Sequence, residues 1–168
     1  MAIVFESRVF SVEVATRRYP SGREHDMAIV RHPPSVVMVP VEDDGRVVLV
    51  RQYRAALDRE LWEFPAGSVE SGEAADAAAA RECEEEIGRV PNRVEPLGAW
   101  YPTPGYCDEQ LVFFRVSDLR PPAAGSARRP DPDEEITAEA FTVADARAMV
   151  VRGEIVDLKT AFALTLLS

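Results

Sequence analysis

Cysteine is scarce in this chain: Cys83 and Cys107 are the only two, too few for a disulfide framework and too far apart in sequence for a paired metal-binding motif. Both are expected to be free thiols, as suits a reducing compartment. Long hydrophobic runs are missing as well. Nothing approaches the roughly 20 apolar residues needed to cross a bilayer, and the apolar tail at 161–167 is far too short. The opening residues, Met-Ala-Ile-Val-Phe-Glu, lack the basic start, apolar core and small-residue cleavage site of a secretory leader, so cytoplasmic residence is expected. Positive charge is in deficit too, with 19 Lys and Arg against 29 Asp and Glu and a formal net charge of −10. That balance excludes a surface built to neutralise nucleic-acid phosphates. Neither nucleic acid nor membrane is expected as a partner, and a polyanionic small molecule would have to be met by a metal ion or by local arginines.

What is present describes one ordinary globular domain spanning 1–168, with 46% hydrophobic and 29% charged residues. Residues 9–17 and 27–30 are β-branched-rich and flank Tyr19-Pro-Ser-Gly22, which predicts a hairpin. Residues 35–41 and 46–53 are strongly apolar around Glu42-Asp-Asp-Gly45 and predict a second hairpin with a tight turn. Further strands are expected at 60–65, 94–101, 110–116 and 136–143, and helices at 73–87, 144–152 and 159–167, the second of these closed by Gly153. Residues 119–133, rich in Pro, Ala, Gly, Ser and Arg, predict a long surface loop. Strands outnumber helices and do not alternate regularly with them. An α+β fold, an α/β/α sandwich with a mixed β-sheet, is therefore expected rather than a doubly wound parallel sheet.

The chemistry concentrates between Gly67 and Gly88. Ala79, Cys83 and Ile87, each four apart, stack on one helix face and can pack on a sheet, so Cys83 is expected in the core. Glu82, Glu85 and Glu86 fall at i, i+3 and i+4 on an adjoining face. Like charges at that spacing cost a helix roughly 0.2–0.5 kcal/mol per pair unless a cation offsets them. Arg81 can answer Glu85 at i+4 but cannot neutralise the whole cluster. Hard oxygen donors on one face suit Mg²⁺ or Mn²⁺, which bridge to substrate phosphates. A charge run by itself is more often a solvated helix face; the spaced glycines and Glu73 separate this segment from that case.

The spacing G-x5-E-x7-R-E-x2-E-E-x-G, filled by Gly67, Glu73, Arg81, Glu82, Glu85, Glu86 and Gly88, resembles the signature of Nudix hydrolases. It departs at the last position, where Arg89 replaces an aliphatic residue, and Cys83 is small for its apolar site. Glu63-Phe-Pro-Ala-Gly67 before the box, Tyr101-Pro-Thr-Pro-Gly105-Tyr-Cys-Asp-Glu109 after it, and Val50-Arg-Gln-Tyr-Arg54 are similar to segments of the ADP-ribose pyrophosphatase branch. The resemblance covers about half the chain. It implies a Nudix-like sandwich with an additional N-terminal antiparallel sheet within residues 1–34, and a homodimer made through those strands. It also implies Mg²⁺, with Mn²⁺ as a substitute, held by Glu82, Glu86 and the backbone carbonyl of Ala66, with Glu85 as a further ligand or support. Hydrolysis of a pyrophosphate bond, most readily that of ADP-ribose to AMP and ribose 5-phosphate, is the implied reaction. Glu134 is the first choice for the base that activates water and Glu135 the second. Arg54 is expected to hold phosphate or ribose, Glu109 to shape the substrate pocket, and Gly105 to serve its turn.

Other marked residues carry less. His25 and His32 are given no role, and Arg128-Arg129 reads as a solvated pair. Trp62 and Trp100 are more often core or interface residues than base-stacking ones. No base-selecting residue is recognisable, so another nucleotide sugar such as GDP-mannose is the first rival substrate. A Nudix-like module that binds a nucleotide sugar without cutting it is the rival of a different class, disfavoured by the intact glutamates.

Overall fold

The computed structural model describes residues 2–125, 128 and 135–167. In chain order its elements are β1 (Ala2–Glu6), β2 (Ser11–Arg18), β3 (Glu24–Arg31), β4 (Ser35–Pro40), β5 (Val47–Arg54), β6 (Arg59–Glu63), β7 (Ala66–Ser68), α1 (Ala75–Ile87), β8 (Val90–Trp100), β9 (Leu111–Arg120), β10 (Ile136–Phe141), α2 (Val143–Arg152) and α3 (Leu158–Ala163). The strands form three sheets, ordered β1-β2-β3, β10-β5-β6 and β7-β4-β9-β8. The first is the antiparallel N-terminal sheet expected from the sequence. The last is mixed, because β4 runs parallel to β9 while β7 and β8 run antiparallel to their neighbours. The architecture is α+β, as the strand-heavy pattern predicts.

Strand β4 shows why the layers form. All six of its residues are buried, so it must sit inside a sheet with both faces covered. Val36 and Met38 pack with Ala78, Ala79 and Cys83 of α1 and with Phe114 and Val116 of β9. Val37 and Val39 face the other way, into a core with Phe64, Phe113, Met149, Ile155 and Leu164. Helix α1 therefore covers one face of the mixed sheet, and α2 and α3 cover the other. The Ala79/Cys83 stripe is buried as its period demands, and desolvation, helped by Glu86 and Glu84, pushes the Cys83 thiol up to about 12.

One sequence expectation is corrected. Residues 35–41 and 46–53 are both strands, but they are not the paired arms of a hairpin. Gly45 (φ +85°) makes the turn, with Gly45 N–H donating to Glu42 O at 2.9 Å, yet pairing stops at the single bridge Val41 to Val47. β4 is taken up by β7 and β9, and β5 leaves to pair with β6 and β10. Alternation records which residues are apolar and does not record which strand lies alongside. Elsewhere the differences are at boundaries, apart from β1 and β7, which no predicted strand covers. α1 starts at Ala75, with Glu73 just outside it; β9 runs on to Arg120, into the predicted loop; α3 ends at Ala163. β1 has no counterpart among the predicted strands, and its five residues are exposed on both faces. Among the described residues no helix is long and apolar enough to cross a membrane.

Candidate active site

Helix α1 delivers its acidic face to the short strand β7. Its first turn carries Asp76 at the positive end of the helix dipole, and Gly88, left-handed at φ +65°, ends it with a bond to Glu84 O. Arg81 organises the cluster. Its Nε and Nη2 donate to the two Glu73 oxygens, each at 2.9 Å, its Nη1 donates to Glu82 at 2.7 Å and Glu85 at 2.9 Å, and Nη2 also reaches the Ser68 carbonyl at 3.0 Å. One guanidinium thus spans three carboxylates, more than the i+4 pairing alone suggests. The Arg81 bonds hold the Glu73 carboxyl below its ordinary range, and the carboxylates in turn raise Arg81.

Glu86 makes a contact with β7. Nearly buried, it accepts the Ala66 N–H at 3.0 Å, which ties the helix to β7. The neighbouring Gly67 lies against Glu82 so closely that a Cβ added there would overlap the carboxylate. The box glycine therefore leaves room for that carboxylate, which a side chain would displace, and serves no special backbone angle. The structure thus gathers Ala66, Gly67, Glu82, Glu85 and Glu86 in one place. Among the described residues no three acidic, imidazole or thiol groups converge on a single point, because Arg81 draws Glu82 and Glu85 toward itself while Glu86 faces Ala66. The donors fit a divalent cation by their chemistry: hard carboxylate oxygens on one helix face, beside a backbone left bare of side chains at Gly67.

Beside this cluster lies a cleft of about 360 Å³, lined by residues that include Ala66, Gly67, Arg54, Glu109, His32 and Lys159. Its cations rest on Glu63, a carboxylate only 2% exposed at the end of β6. Arg54 Nε and Nη2 each donate to Glu63 at 2.7 Å, and Lys159 Nζ, from α3, donates to the same carboxylate and lies 3.1 Å from Asp157. Burial pushes Glu63 up, but the two cations outweigh it and hold the carboxyl below its ordinary value. Arg54 lines the cleft, with its fork committed to Glu63. A guanidinium has five N–H donors, so that fork does not exhaust it. Glu109 accepts Ser35 Oγ at 2.8 Å and stands 3.7 Å from His32 Nδ1. Where Pro102, Leu111, Leu158 and Lys159 meet, the cleft adjoins an apolar hollow of about 230 Å³ walled by Trp100, Phe113 and Phe162.

Other predicted site residues stand apart. Gly105 is exposed in its turn and is not part of the cleft wall. Glu135 is exposed one residue before β10, whose first residue pairs with Gln52, two residues short of Arg54. Glu134 lies outside the described residues. Ser35, Asp157 and Lys159 are cleft residues that the sequence did not single out, His32 lines the cleft although the sequence assigns it no role, and Glu63 stands behind the cleft as the partner of its cations. For Lys159 a signal existed, since it is the only lysine among the 19 basic side chains.

A fold of this kind, with a carboxylate helix laid against a bare backbone strand and a cation-lined cleft, defines a phosphate-handling enzyme. The NUDIX domain family model matches residues 31–159, and the chain belongs to the Nudix family as a Nudix hydrolase. It is 34% identical over 161 residues to an ADP-ribose pyrophosphatase of Bacillus subtilis (strain 168), covering 96% of this chain and 86% of that protein. To an ADP-ribose pyrophosphatase of Mycobacterium tuberculosis (strain ATCC 25618 / H37Rv) it is 32% identical over 150 residues, covering 89% and 72%. A methanol dehydrogenase activator of Bacillus methanolicus is likewise 32% identical, over 162 residues, covering 95% and 85%. The crystal structure of an ADP compounds hydrolase superposes with a TM-score of 0.84 over 98% of this chain and 88% of that one; at 24% identity this shows the shared fold.

Proposed function

We propose that this chain uses Mg²⁺, with Mn²⁺ as a substitute, to hydrolyse the pyrophosphate bond of ADP-ribose, giving AMP and ribose 5-phosphate. The observation that carries the reading is the adjacency of two charge systems: Ala66 and Gly67 belong both to the carboxylate cluster of α1 and to the wall of the cleft that holds Arg54 and Lys159. A diphosphate bridging them would meet a cation on each side. The two similar ADP-ribose pyrophosphatases, each matched over most of this chain, supply the choice of substrate.

Glu82, Glu86 and the Ala66 carbonyl are the ligands in this reading, with Glu85 as a further ligand or as the support that keeps Arg81 in place. A divalent ion held by these residues would supply charge neutralisation to the pyrophosphate and acidity to an attacking water. Glu134, or failing it Glu135, takes the water's proton as its oxygen bonds to one phosphorus. The bridging oxygen leaves with the other phosphoryl group and accepts a proton. Arg54 and Lys159 offset the charge of the substrate phosphates, and Glu109 shapes the pocket. Positioning and charge stabilisation supply most of the rate. The exposed apolar residues of the N-terminal sheet support a homodimer.

The test is incubation of the pure protein and Mg²⁺ with ADP-ribose, GDP-mannose, UDP-glucose, NADH, dinucleoside polyphosphates and dGTP, followed by product identification. Release of AMP from ADP-ribose well ahead of the others is expected. Preference for GDP-mannose would keep the chemistry and replace the substrate. Absence of turnover on every compound would support the binding-module alternative.

A further inference from the structure

The loop at residues 101–110, between β8 and β9, brings Pro102 and Glu109 to the cleft and is fastened to the N-terminal sheet. Val30 N–H donates to Tyr106 O at 2.8 Å, Asp108 N–H donates to Val30 O at 3.2 Å, and Val30 bridges Cys107 in parallel. Asp108 adds a side-chain grip on both sides of its carboxylate. Oδ1 accepts the His32 N–H at 2.9 Å, and Oδ2 accepts Arg31 Nη1 at 2.8 Å. Arg31 turns its Nε to Glu13 at 2.8 Å, and Glu13, only 6% exposed on β2, also takes Arg17. A chain of alternating charge therefore runs from the middle of the N-terminal sheet to the residue preceding Glu109.

We infer that Arg31 and Asp108 are positioning residues for the proposed substrate cleft: their ion pair fixes the 101–110 loop, and through it Glu109, so that the N-terminal sheet sets how tightly substrate is held. The inference rests on the reading of that cleft as the substrate site. Isolated surface pairs contribute little to stability. This pair differs in that Arg31 is shared with a nearly buried carboxylate and Asp108 with a backbone N–H, so losing Arg31 costs Glu13 one of its two cations and losing Asp108 costs the His32 N–H its acceptor. Burial pushes Asp108 up, while Arg31 and the His32 N–H outweigh it and hold the carboxyl below its ordinary value. Neither side chain is among those that line the cleft.

The test compares wild type with Arg31→Ala, Arg31→Lys and Asp108→Asn, reading ADP-ribose kinetics with Mg²⁺ and, in the substrate-free protein, amide hydrogen exchange. Asp108→Asn keeps size and an acceptor for the His32 N–H, so it guards against a folding defect in the arginine variants. Expected are a KM raised about tenfold with kcat within about twofold in Arg31→Ala and Asp108→Asn, and faster exchange across 101–110 with α1 unchanged. Arg31→Lys should fall between, because an ammonium cannot fork to both carboxylates. Unchanged exchange in the loop, or a fall in kcat at constant KM, would overturn the inference. If wild type does not cleave ADP-ribose, the substrate reading fails and the exchange data alone decide whether the pair holds the loop.

Discussion

Single atoms decide the carboxylate cluster. Glu86 is the clearest case, because its acceptor bond from the Ala66 N–H survives amidation while its charge does not. Glu86→Gln is expected to fold as wild type by circular dichroism and to lose on the order of 10²–10³ in kcat, the range seen when one charge-stabilising group is removed. A variant retaining most of its turnover would take Glu86 out of the ligand set. Gly67 makes a complementary prediction. A methyl group there must displace the Glu82 carboxylate, so Gly67→Ala should raise the Mg²⁺ concentration for half-maximal activity about tenfold or more, with unchanged Mg²⁺ dependence as the contrary result. The sequence shows this glycine as a spaced position in a pattern. Only the packing shows that the constraint comes from a neighbouring carboxylate, since the backbone there needs no left-handed angle.

Between elements, the junction of β5, β6 and α3 rests on a buried carboxylate shared by two cations. Glu63 is buried and leans on Arg54 and Lys159, so Glu63→Gln leaves two cations short of a partner and should cost about 3 kcal/mol in urea unfolding. Lys159→Met, which leaves the Arg54 fork intact, should cost about 1–2 kcal/mol. Equal costs would mean that Lys159 accounts for the whole contribution of Glu63 and that the Arg54 fork adds nothing to it. The pH dependence follows from sign. The folded pKa of Glu63 is depressed, so its contribution is fully present above the unfolded value of about 4.3 and is lost as pH falls through the lower folded value. The stability of Glu63→Gln should therefore decline less steeply than that of wild type below about pH 4.3. This junction was poorly legible in the sequence, because its partners are 96 residues apart and no period links them. Helix α1 was legible except at its start, since an apolar stripe and an acidic stripe share one 13-residue segment. The pairing of β4 was not, since a strand buried on both faces reads only as an apolar run. The same packing makes a check on α1: with Cys83 fully buried and Cys107 half-buried, a thiol reagent should label one site in the native protein and two after unfolding.

Across the whole molecule, the N-terminal sheet is the part that a lone chain accommodates worst. β1 is an edge strand with every residue exposed, and Ile3, Val4, Phe5, Val9 and Phe10 all present large apolar side chains to solvent. Phe5 and Phe10 lie ring beside ring, 5.7 Å apart, which makes a contiguous patch and not scattered singles. An open edge beside such a patch invites strand pairing or face-to-face association, and a two-fold axis through it would cover both at once. Light scattering should therefore give twice the mass of one chain, with a melting temperature that rises with protein concentration. Phe5→Glu places a charge in the patch without touching the Glu13, Arg31 and Asp108 chain, so it should yield a monomer whose kcat is close to wild type. Its KM then carries the argument from sheet to site. If association steadies the sheet that grips the 101–110 loop, KM rises in the monomer as it does in Arg31→Ala. If KM is unchanged, the sheet holds the loop within one chain and the dimer serves solubility alone.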